Sequence, residues 1–479
     1  MLNILIAATE AVPFAKSGGL ADVVGALPKA LLKNGVDARV IMPKYKIIPE
    51  KLRSKIVLKK KIMVKIGWRE QYCGIEECVS DGVTYYFIDN EYYFGRERLY
   101  SFGDEAEMFT FFSRAVLEIL PHIDFVPNII HCNDWQTGMI PVFLEINYKQ
   151  FEYYKNINTM FTIHNLQYQG IFPFNIMTDV LCLETKYFTS DKLEYYGNVN
   201  FMKGGIVYSK LITTVSPTYA REIQNSYFGE GLHELLQARS NDLFGILNGL
   251  DYEIYNPETD KYIFKNYSKN SFENKKENKI MLQRELGLPE KAETPMIGII
   301  SRLVAQKGFD LITWIMEELL EEEIQIVILG TGDDYYEDFF KDLATKYPDK
   351  VSSNIKFSQE LSHKIYAGSD LFLMPSRFEP CGLSQIISMK YGTVPIVRET
   401  GGLEDTVKPY NEYSEKGNGF SFANYNAHEM LFTIKKALEY YRNKPVWEKI
   451  AASGMECDYS WDNSSQKYIE LYKKICYHL

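Results

Sequence analysis

Two glycine-pair motifs, one near each end of the chain, constrain the fold more than any other feature. The first is KSGGLAD at Lys16–Asp22, which follows the apolar run Ile4–Ala8. The second is ETGGLED at Glu399–Asp405, which follows Val394–Val397. Each motif has the order of a buried strand, a glycine-rich turn and a helix start, and such a turn presents backbone N–H groups and a positive helix end to an anion. The motifs therefore predict two α/β halves that act on one negatively charged ligand.

The length and charge of the chain limit the classes of protein to which it can belong. It has 479 residues, so we expect two domains of about 200–250 residues each. The 53 Lys and Arg residues against 63 Asp and Glu residues give a formal charge of −10, which argues against nonspecific binding of nucleic acid. An anionic ligand must therefore be held by local groups rather than by the net charge.

Cysteine usage and the N-terminal residues indicate the compartment. The seven cysteines form no C-x-x-C pair and no tight cluster with histidine, so we expect neither a disulfide framework nor a structural zinc site. Met1–Ile4 leads directly into a strand-like run, and we expect no signal peptide. No stretch reaches the roughly 18 apolar residues of a membrane span. These observations predict a cytoplasmic protein with no membrane partner.

Strand-like and helix-like segments alternate in both halves of the chain. Apolar runs that predict strands occupy residues 4–8, 38–42, 83–88, 129–131, 159–163, 211–215, 296–300, 324–329, 354–357, 370–374 and 393–397. Helical patterns occupy residues 20–32, 105–120 and 461–475, among others. This alternation is typical of mostly parallel sheets covered on both faces, and it predicts two doubly wound α/β domains.

The composition changes between residues 250 and 290, where the chain becomes polar. This stretch is typical of an interdomain connection. We place an N-terminal domain at residues 1–250 and a C-terminal domain at 251–458. The helical segment 459–479 is expected to cross back to the N-terminal domain.

Most of the distinctive polar residues come directly after a predicted strand. They lie in the segments 131–135, 162–165, 248–251, 301–308, 330–332 and 376–382. Ligands of open α/β sheets bind at the carboxyl ends of the strands. Unrelated structural residues would occur at both ends of the sheets, so the concentration at one end indicates a site.

Each of these residues also has a purely structural explanation. A single histidine at a strand end, such as His164, is often a hydrogen-bonded structural residue, and Asp134 before a tryptophan is compatible with a helix N-cap. Arg302 and Lys307 are compatible with a solvated loop. Glu379 is compatible with a cap of the following helix.

Taken together, the motifs resemble those of bacterial glycogen synthases and plant starch synthases, in order and over nearly the whole chain. They are KSGGLAD at 16–22, NDW at 133–135, TIHN at 162–165, GILNG at 245–249, SRL and KG within 301–308, RFEPCGL at 377–383, and KYG and TGGL within 390–403. The resemblance implies a GT-B fold, which is an α/β architecture with two doubly wound Rossmann-like domains facing a central cleft. It also implies retaining transfer of glucose from ADP-glucose to the nonreducing end of an α-1,4-glucan such as glycogen. Members of this family use no metal, and we expect no cofactor.

The resemblance assigns catalytic roles to His164, Glu379, Arg302 and Lys307. Arg302 and Lys307 would neutralise the departing diphosphate as preorganised donors. Glu379 would bind glucose hydroxyls beside a sugar ring that gains positive charge. His164 would hold the glucose through its side chain, with its backbone carbonyl near the anomeric carbon.

The resemblance also assigns binding roles. The implied donor-binding residues are Lys16, Gly18, Gly19, Asn248, Phe357, Thr400, Gly401 and Gly402, and the implied acceptor-binding residues are Asp134 and Asp22. Lys16 would contact the phosphate from the domain opposite Arg302. Backbone N–H groups near Gly18 and over residues 400–403 would add to the phosphate clamp.

Two positions depart from the family pattern. Phe357 stands where a tyrosine is expected to stack on adenine, so the aromatic face is kept, the hydroxyl is lost, and the choice between an ADP and a UDP donor stays open. Gln136 stands where a histidine is common after Asp-Trp.

Three other functions stay open at this point. One is a related GT-B transferase with another acceptor, for example one that forms maltose 1-phosphate. Another is a nonenzymatic sensor of a nucleotide sugar or glucan. The presence of Lys16, His164, Arg302, Lys307 and Glu379 argues against it, because a sensor does not need the full charge clamp. The third, a nicotinamide-dependent dehydrogenase, is disfavoured because Gly18-Gly19 lacks the G-x-G-x-x-G spacing.

Overall fold

The computed structural model describes residues 2–477, which divide into two compact units. The first unit combines the chain up to Val215 with Ala220–Gly249 and with the segment that begins at Trp461. The second unit combines Ser216–Tyr219 with Leu250–Ser460. In the part of the chain that the model describes, no helix is long and apolar enough to cross a membrane.

The first unit is built on a large mixed sheet with helices beside it. Its strands are β1 (Asn3–Ala7), β2 (Asp37–Pro43), β3 (Val57–Ile66), β4 (Arg69–Ser80), β5 (Val83–Asp89), β6 (Ile129–Asn133), β7 (Asn158–Ile163), β8 (Ile171–Pro173), β9 (Glu194–Tyr195), β10 (Asn198–Asn200), β11 (Leu211–Thr214) and β12 (Leu243–Gly245). The helices up to this point are α1 (Gly19–Lys33), α2 (Glu50–Arg53), α3 (Glu91–Phe94), α4 (Glu105–Glu118), α5 (Met139–Phe143), α6 (Ile176–Asp179), α7 (Phe201–Tyr208), α8 (Pro217–Glu222) and α9 (His233–Ala238).

The large sheet has nine strands in the order β12-β11-β7-β6-β1-β2-β5-β4-β3. The strands from β12 to β5 are parallel, and β4 and β3 join as an antiparallel extension. Strand order reverses between β1 and β6, which makes their carboxyl ends the topological switch point where doubly wound sheets bind ligands. The short strands β8, β10 and β9 form a separate sheet.

The second unit is built on a six-stranded parallel sheet in the order β15-β14-β13-β16-β17-β18. Its strands are β13 (Met296–Ile300), β14 (Gln325–Leu329), β15 (Val351–Asn354), β16 (Leu371–Met374), β17 (Val394–Arg398) and β18 (Phe420–Phe422). The remaining helices are α10 (Lys275–Glu285), α11 (Phe309–Leu319), α12 (Asp334–Lys346), α13 (Gln359–Gly368), α14 (Ser384–Lys390), α15 (Gly401–Thr406), α16 (Ala427–Arg442), α17 (Lys444–Glu456) and α18 (Trp461–Tyr477), of which α18 belongs to the first unit. The order reverses between β13 and β16, so the predicted fold class of two doubly wound α/β units is confirmed.

Helix α18 packs within the first unit against α1 and the strand β6. The hydroxyl of Tyr472 lies 2.8 Å from Nδ1 of His131, and Oγ of Ser464 donates to the carbonyl of Leu247 over 2.7 Å. Gly249 permits the close approach of this helix, because a Cβ atom there would lie 2.6 Å from Cα of Trp461. The helix is therefore an integral part of the first unit.

The hairpin of β3 and β4 was not predicted. Strand β3 lies at the edge of the sheet, its side chains are mostly exposed, and it carries three consecutive lysines at 59–61. It therefore lacks the apolar run by which the buried strands were recognised. Lysine on an edge strand hinders pairing with another chain.

Two segment predictions in the second half are wrong. The strand predicted at 354–357 occupies Val351–Asn354, so Phe357 lies in the loop that follows it. The polar stretch 250–290 is not a simple connection, because it packs into the second unit and contains α10. Its polar residues include Lys275, whose buried ammonium donates to the carbonyls of Tyr366 and Ala367 at 3.2 and 2.9 Å. At Lys275, a polar residue in this stretch is thus part of the packed unit and not of an exposed linker.

Candidate functional site

In the first unit, Glu10 holds the loop between β1 and α1. The side chain is 4% exposed, and its Oε1 accepts from Oγ of Ser17 and from the hydroxyl of Tyr100, both at 2.7 Å. Its Oε2 accepts the backbone N–H groups of Ser17 and Gly18. These two N–H groups therefore have an acceptor within the chain, and the donor-binding role of Gly18 stays a prediction.

Lys16 and Asp22 form an ion pair at the rim of the same loop. The ammonium of Lys16 lies 2.7 Å from Oδ1 and 2.8 Å from Oδ2 of Asp22, and both side chains are partly exposed. Burial raises the pKa of Asp22, and the charge of Lys16 opposes this effect. Gly18 and Gly19 border open space, because a Cβ atom at either position would meet no atom within 4 Å. The backbone here can be approached closely by a ligand.

His164 lies after β7 with its ring orientation fixed by Asn133. The amide Nδ2 of Asn133 donates to the carbonyls of Ala7 and His131 at 3.2 and 3.1 Å, so Oδ1 must be the atom that faces His164. Nε2 of His164 lies 2.9 Å from this oxygen and is therefore the protonated nitrogen. Burial lowers the pKa of His164 to about 3. The imidazole is thus neutral near pH 7, with Nδ1 as a hydrogen-bond acceptor.

Asp134 follows β6 in a strained backbone conformation with φ of 56°. Its Oδ1 accepts the backbone N–H of His164 at 2.8 Å, and its own N–H donates to the carbonyl of Thr162 at 2.9 Å. Burial raises the pKa of Asp134 to about 7, although the N–H groups of His164 and Asn165 lower it. The carboxyl group therefore shapes the turn that carries His164, and its acceptor-binding role stays a prediction.

Asn248 presents a buried acceptor without a partner. The residue is 7% exposed, and within the described part of the chain its Oδ1 makes no hydrogen bond. Gln136 is also 7% exposed, and its amide oxygen Oε1 likewise has no hydrogen-bond partner among the described residues. An unsatisfied buried acceptor costs about 1–3 kcal/mol, so a water molecule or a ligand hydroxyl is expected at each.

In the second unit, Lys307 and Glu379 form a tight ion pair. The ammonium lies 2.5 Å from Oε2 of Glu379, and Oγ of Ser376 donates to the same oxygen over 3.1 Å. Both charged side chains are largely buried. Ser376 was named with its strand end, but its hydrogen bond to the carboxylate was missed, because sequence gives no sign of a contact that tertiary packing creates.

Arg302 lies on the same loop as Lys307, directly after β13. It is exposed, and its guanidinium makes no hydrogen bond or ion pair with the other residues that the structure describes. The loop itself is tightly packed, because a Cβ atom at Gly330 would lie 1.8 Å from the carbonyl oxygen of Ser301. Leu303 also donates its N–H to the carbonyl of Thr331 over 3.0 Å. Arg302 is therefore an unpaired cation on a loop whose backbone is held by close packing and a hydrogen bond.

The turn at Gly401 and Gly402 packs against the segment that carries Glu379. A Cβ atom at Gly401 would lie 2.0 Å from the carbonyl oxygen of Glu379, and one at Gly402 would lie 2.0 Å from that of Cys381. The N–H of Gly402 donates to the carbonyls of Glu379 and Pro380 at 3.1 and 3.2 Å.

The N–H of Leu403 likewise donates to the carbonyl of Thr400 over 3.0 Å. The N–H groups of Gly402 and Leu403, which were expected to serve a phosphate, thus have acceptors within the chain. Their hydrogen bonds shape the turn. Donor-binding roles of Thr400, Gly401 and Gly402 stay predictions.

Phe357 is 93% exposed in the loop after β15, so its ring is accessible. Among the described residues, no group of three or more His, Cys, Asp or Glu side chains is arranged to hold a metal ion.

Comparisons with known proteins give the family. Residues 3–238 match the family model of the starch synthase catalytic domain, and residues 284–452 match that of glycosyl transferases group 1. A glycogen synthase from Desulforamulus reducens is 53% identical over 477 residues, which cover 100% of this chain and 99% of that protein. A glycogen synthase from Bacillus cereus is 55% identical over 474 residues, or 99% and 100% of the two chains.

Solved structures agree with these matches. The catalytic domain of starch synthase IV from Arabidopsis thaliana, bound to ADP and acarbose, has a TM-score of 0.91 at 33% identity and covers 99% of both chains. A sucrose-phosphate synthase from Thermosynechococcus elongatus has a TM-score of 0.64 at 17% identity over 100% of both chains, which supports the fold alone. With curated relatives more than half identical over essentially its full length, this chain belongs to the glycogen synthase family of GT-B hexosyltransferases.

Proposed function

We propose that this enzyme transfers glucose from ADP-glucose to the nonreducing end of an α-1,4-glucan, with retention of the anomeric configuration. The observation that carries the proposal is the unpaired guanidinium of Arg302 on the loop that also carries Lys307, which forms a largely buried ion pair with Glu379. Support comes from relatives that are named glycogen synthase and from the starch synthase structure with bound ADP.

The cations of the second unit are proposed to bind the diphosphate of the donor. When the bond from the glucosyl carbon to the diphosphate breaks, negative charge grows on the phosphate oxygens. Arg302 offers a planar set of donors, and a phosphate can bind them without displacing another side chain of the protein. Lys307 is held in place by its ion pair with Glu379. Preorganised donors of this kind lower the barrier because they need not reorient during the reaction.

Glu379 is proposed to accept hydroxyl groups of the glucose while its charge favours the positive character that develops on the sugar ring. Its Oε2 already accepts from Lys307 and Ser376, so Oε1 is the oxygen proposed to face the sugar. Neutral His164 is proposed to accept a glucose hydroxyl at Nδ1, because its Nε2 proton is bound to Asn133.

The other predicted residues are proposed in binding roles. Lys16 would contact the diphosphate after leaving Asp22, and Asn248 would satisfy its buried oxygen with a ligand hydroxyl. Asp22, once released, and Asp134 are proposed on the acceptor side. Phe357 would stack on adenine, because its ring is almost fully exposed.

The open backbone at Gly18 and Gly19 is proposed to allow close approach of the donor, and Thr400, Gly401 and Gly402 are proposed to form its second-unit wall. We further propose cytoplasmic action, which seven free cysteines support. Residues 1–250, 251–458 and 459–479 are the proposed domain ranges.

The test is a transfer assay with ADP-glucose and UDP-glucose on glycogen, each with and without excess EDTA. We expect incorporation of glucose from ADP-glucose that EDTA does not reduce. Glucose 1-phosphate, offered as a competing acceptor, tests the transferase that would form maltose 1-phosphate. Transfer to glucose 1-phosphate but not to glycogen, or transfer from neither donor, would refute the proposal.

A further inference from the structure

Glu10 is a buried carboxylate that forms no ion pair with any cationic side chain among residues 2–477. It lies three residues beyond β1 at the switch point of the first sheet, and it is 4% exposed. Its two oxygens accept four hydrogen bonds, from two backbone N–H groups and two hydroxyl groups. A buried anion requires such compensation, because its loss of hydration is otherwise very costly.

The hydrogen bonds to Glu10 have a defined direction. The hydroxyl of Tyr100 donates to Oε1 of Glu10, so Oγ of Thr9 must donate to Tyr100 across their 2.8 Å contact. Thr9 is adjacent to Glu10 in sequence, whereas Tyr100 comes from the segment before α4. The carboxylate thus accepts hydrogen bonds from two separate segments of the chain, from Tyr100 before α4 and from Ser17 and Gly18 before α1.

The N–H groups that Glu10 accepts belong to Ser17 and to Gly18, the N-cap of α1, and backbone donors of a glycine-rich turn before a helix commonly bind a phosphate. Because the carboxylate accepts these two donors, the turn has its own internal anion. Lys16 directly precedes Ser17, so the two hydrogen bonds at Ser17 fix the backbone from which the Lys16 side chain extends. The ammonium of Lys16 lies 2.7 Å from Oδ1 of Asp22.

We propose that Glu10 is a positioning residue for glucosyl transfer. It takes the place of a ligand phosphate at the first glycine-rich turn and fixes the backbone so that Lys16 can reach the diphosphate of the donor. At this turn it is then the Lys16 side chain, and not the N–H groups of Ser17 and Gly18, that binds the donor. The inference rests on the proposed function, since it needs Lys16 to contact the donor.

Replacement of Glu10 by alanine tests this role. The variant Glu10→Ala leaves two N–H groups and two hydroxyls without their acceptor, and the turn should lose its fixed conformation. Since small displacements of catalytic groups can cost on the order of a hundredfold, we expect kcat/KM for ADP-glucose to fall at least about tenfold. Formate is expected to restore much of the loss by binding at the vacated position, and Glu10→Gln should retain most of the activity because its amide oxygen still accepts both N–H groups.

Glu118→Ala is the matched control. Glu118 also accepts the hydroxyl of a tyrosine, Tyr148, at 2.6 Å in the same unit, but it does not contact the glycine-rich turn. This variant should keep kcat/KM for ADP-glucose and should not respond to formate. A similar loss in both variants, or an unchanged kcat/KM in Glu10→Ala, would overturn the inference.

A double-mutant cycle with Lys16→Ala separates positioning from general structural damage. If Glu10 acts through Lys16, then Glu10→Ala should change kcat/KM less than about twofold in the Lys16→Ala background. Additive losses would contradict the inference.

Hydrogen exchange at Ser17 and Gly18 provides a readout that does not depend on activity. Both N–H groups should be protected in the wild-type chain, exposed in Glu10→Ala and protected again with formate. If the wild-type enzyme transfers no glucose, the proposed function fails, whereas unprotected N–H groups in an active wild-type enzyme would refute the role of Glu10 alone.

Discussion

Lys307 donates to Glu379 across 2.5 Å, so the second unit pairs a largely buried lysine with a largely buried carboxylate. The hydroxyl of Ser376 adds a second donor to the same oxygen. Removal of one partner from such a pair leaves the other charge buried and uncompensated. The pair therefore fixes the orientation of both charged groups, and each charge depends on the other for compensation.

Glu379→Ala and Lys307→Ala are each expected to lower kcat by about a hundredfold or more, which corresponds to about 3 kcal/mol of transition-state stabilisation. The physical reason is the loss of a preorganised charge together with the disorientation of its partner. Steady-state rates with ADP-glucose and glycogen measure the effect. Lys341→Ala is the control, because its ammonium pairs with Asp338 on the exposed face of α12. Rates near that of the wild-type enzyme in both site variants would contradict the assignment.

His164 is expected to remain neutral throughout the physiological pH range. Burial disfavours the charged imidazolium and lowers its pKa to about 3, so the ring gains a proton only when the pH falls to about that value. Nitrogen chemical shifts of His164 should therefore show the Nε2–H tautomer without change between pH 5 and pH 8. The exposed ring of His428 provides a reference signal in the same spectra. Titration of His164 within this range would contradict the hydrogen-bond assignment.

Asn133→Ala tests whether ring orientation matters for transfer. The substitution removes the acceptor of the Nε2 proton, so the ring of His164 can rotate and the tautomer preference is lost. We expect kcat to fall about tenfold or more, as for other losses of orientation near a reacting group. An unchanged kcat with a reoriented ring would show that the side chain of His164 does not contact the glucose.

The order of strands and helices could be predicted because buried parallel strands are marked by apolar runs. The runs at Ile4–Ala8 and Val394–Val397 agree closely with β1 and β17. The exposed strand β3 has no continuous apolar run, and its position depends on pairing with β4. Helix α10 was not predicted because its polar sequence indicates an exposed linker. Its Lys275 is nevertheless buried, since it donates to backbone carbonyls that lie about ninety residues away in sequence.

The residues of the candidate site could be singled out from the sequence for the same reason. Arg302, Lys307 and Glu379 follow apolar strands, and position after a strand is visible in sequence. The occupant of a backbone N–H group is not visible, so the carboxylate of Glu10 at Ser17 was missed. Glycine pairs were interpreted as ligand contacts, although packing of Gly402 against Cys381 requires glycine without any ligand.

Asp134 is expected to make the stability of the first unit depend on pH. Its pKa is raised from 3.8 to about 7 by burial, so the folded state holds the proton more tightly than the unfolded state. The stability from this group is fully present below about pH 4 and is lost as the pH rises through 7. Asp134→Asn removes this titration while keeping one acceptor oxygen.

Urea unfolding at pH 5 and pH 7.5 checks the sign of this effect. Between these values, the wild-type chain should lose more stability than Asp134→Asn, by about 1.4 kcal/mol at most for each pH unit over which Asp134 titrates. The difference between the two proteins isolates Asp134 from other titrating groups. An equal change in both proteins would place the folded pKa of Asp134 near its ordinary value.

Gly330 and Gly18 are expected to respond to alanine in opposite ways. A Cβ atom at Gly330 would lie 1.8 Å from the carbonyl oxygen of Ser301, which is backbone and cannot rotate away. Gly330→Ala should therefore lower the free energy of unfolding by about 1–3 kcal/mol, and it should displace the loop that carries Arg302. Both Tm and kcat should fall.

Gly18→Ala adds its Cβ atom to open space, so Tm should stay within about 1 °C of the wild-type value, because surface changes rarely exceed 0.5 kcal/mol. If the donor approaches this backbone, the methyl group should nevertheless raise KM for ADP-glucose. Gly103→Ala is the matched control, since its Cβ atom also meets no atom within 4 Å and lies outside the glycine-rich turn. A KM equal in Gly18→Ala, Gly103→Ala and the wild-type enzyme would exclude close approach of the donor at Gly18, whereas a fall in Tm for Gly18→Ala would assign that glycine to packing.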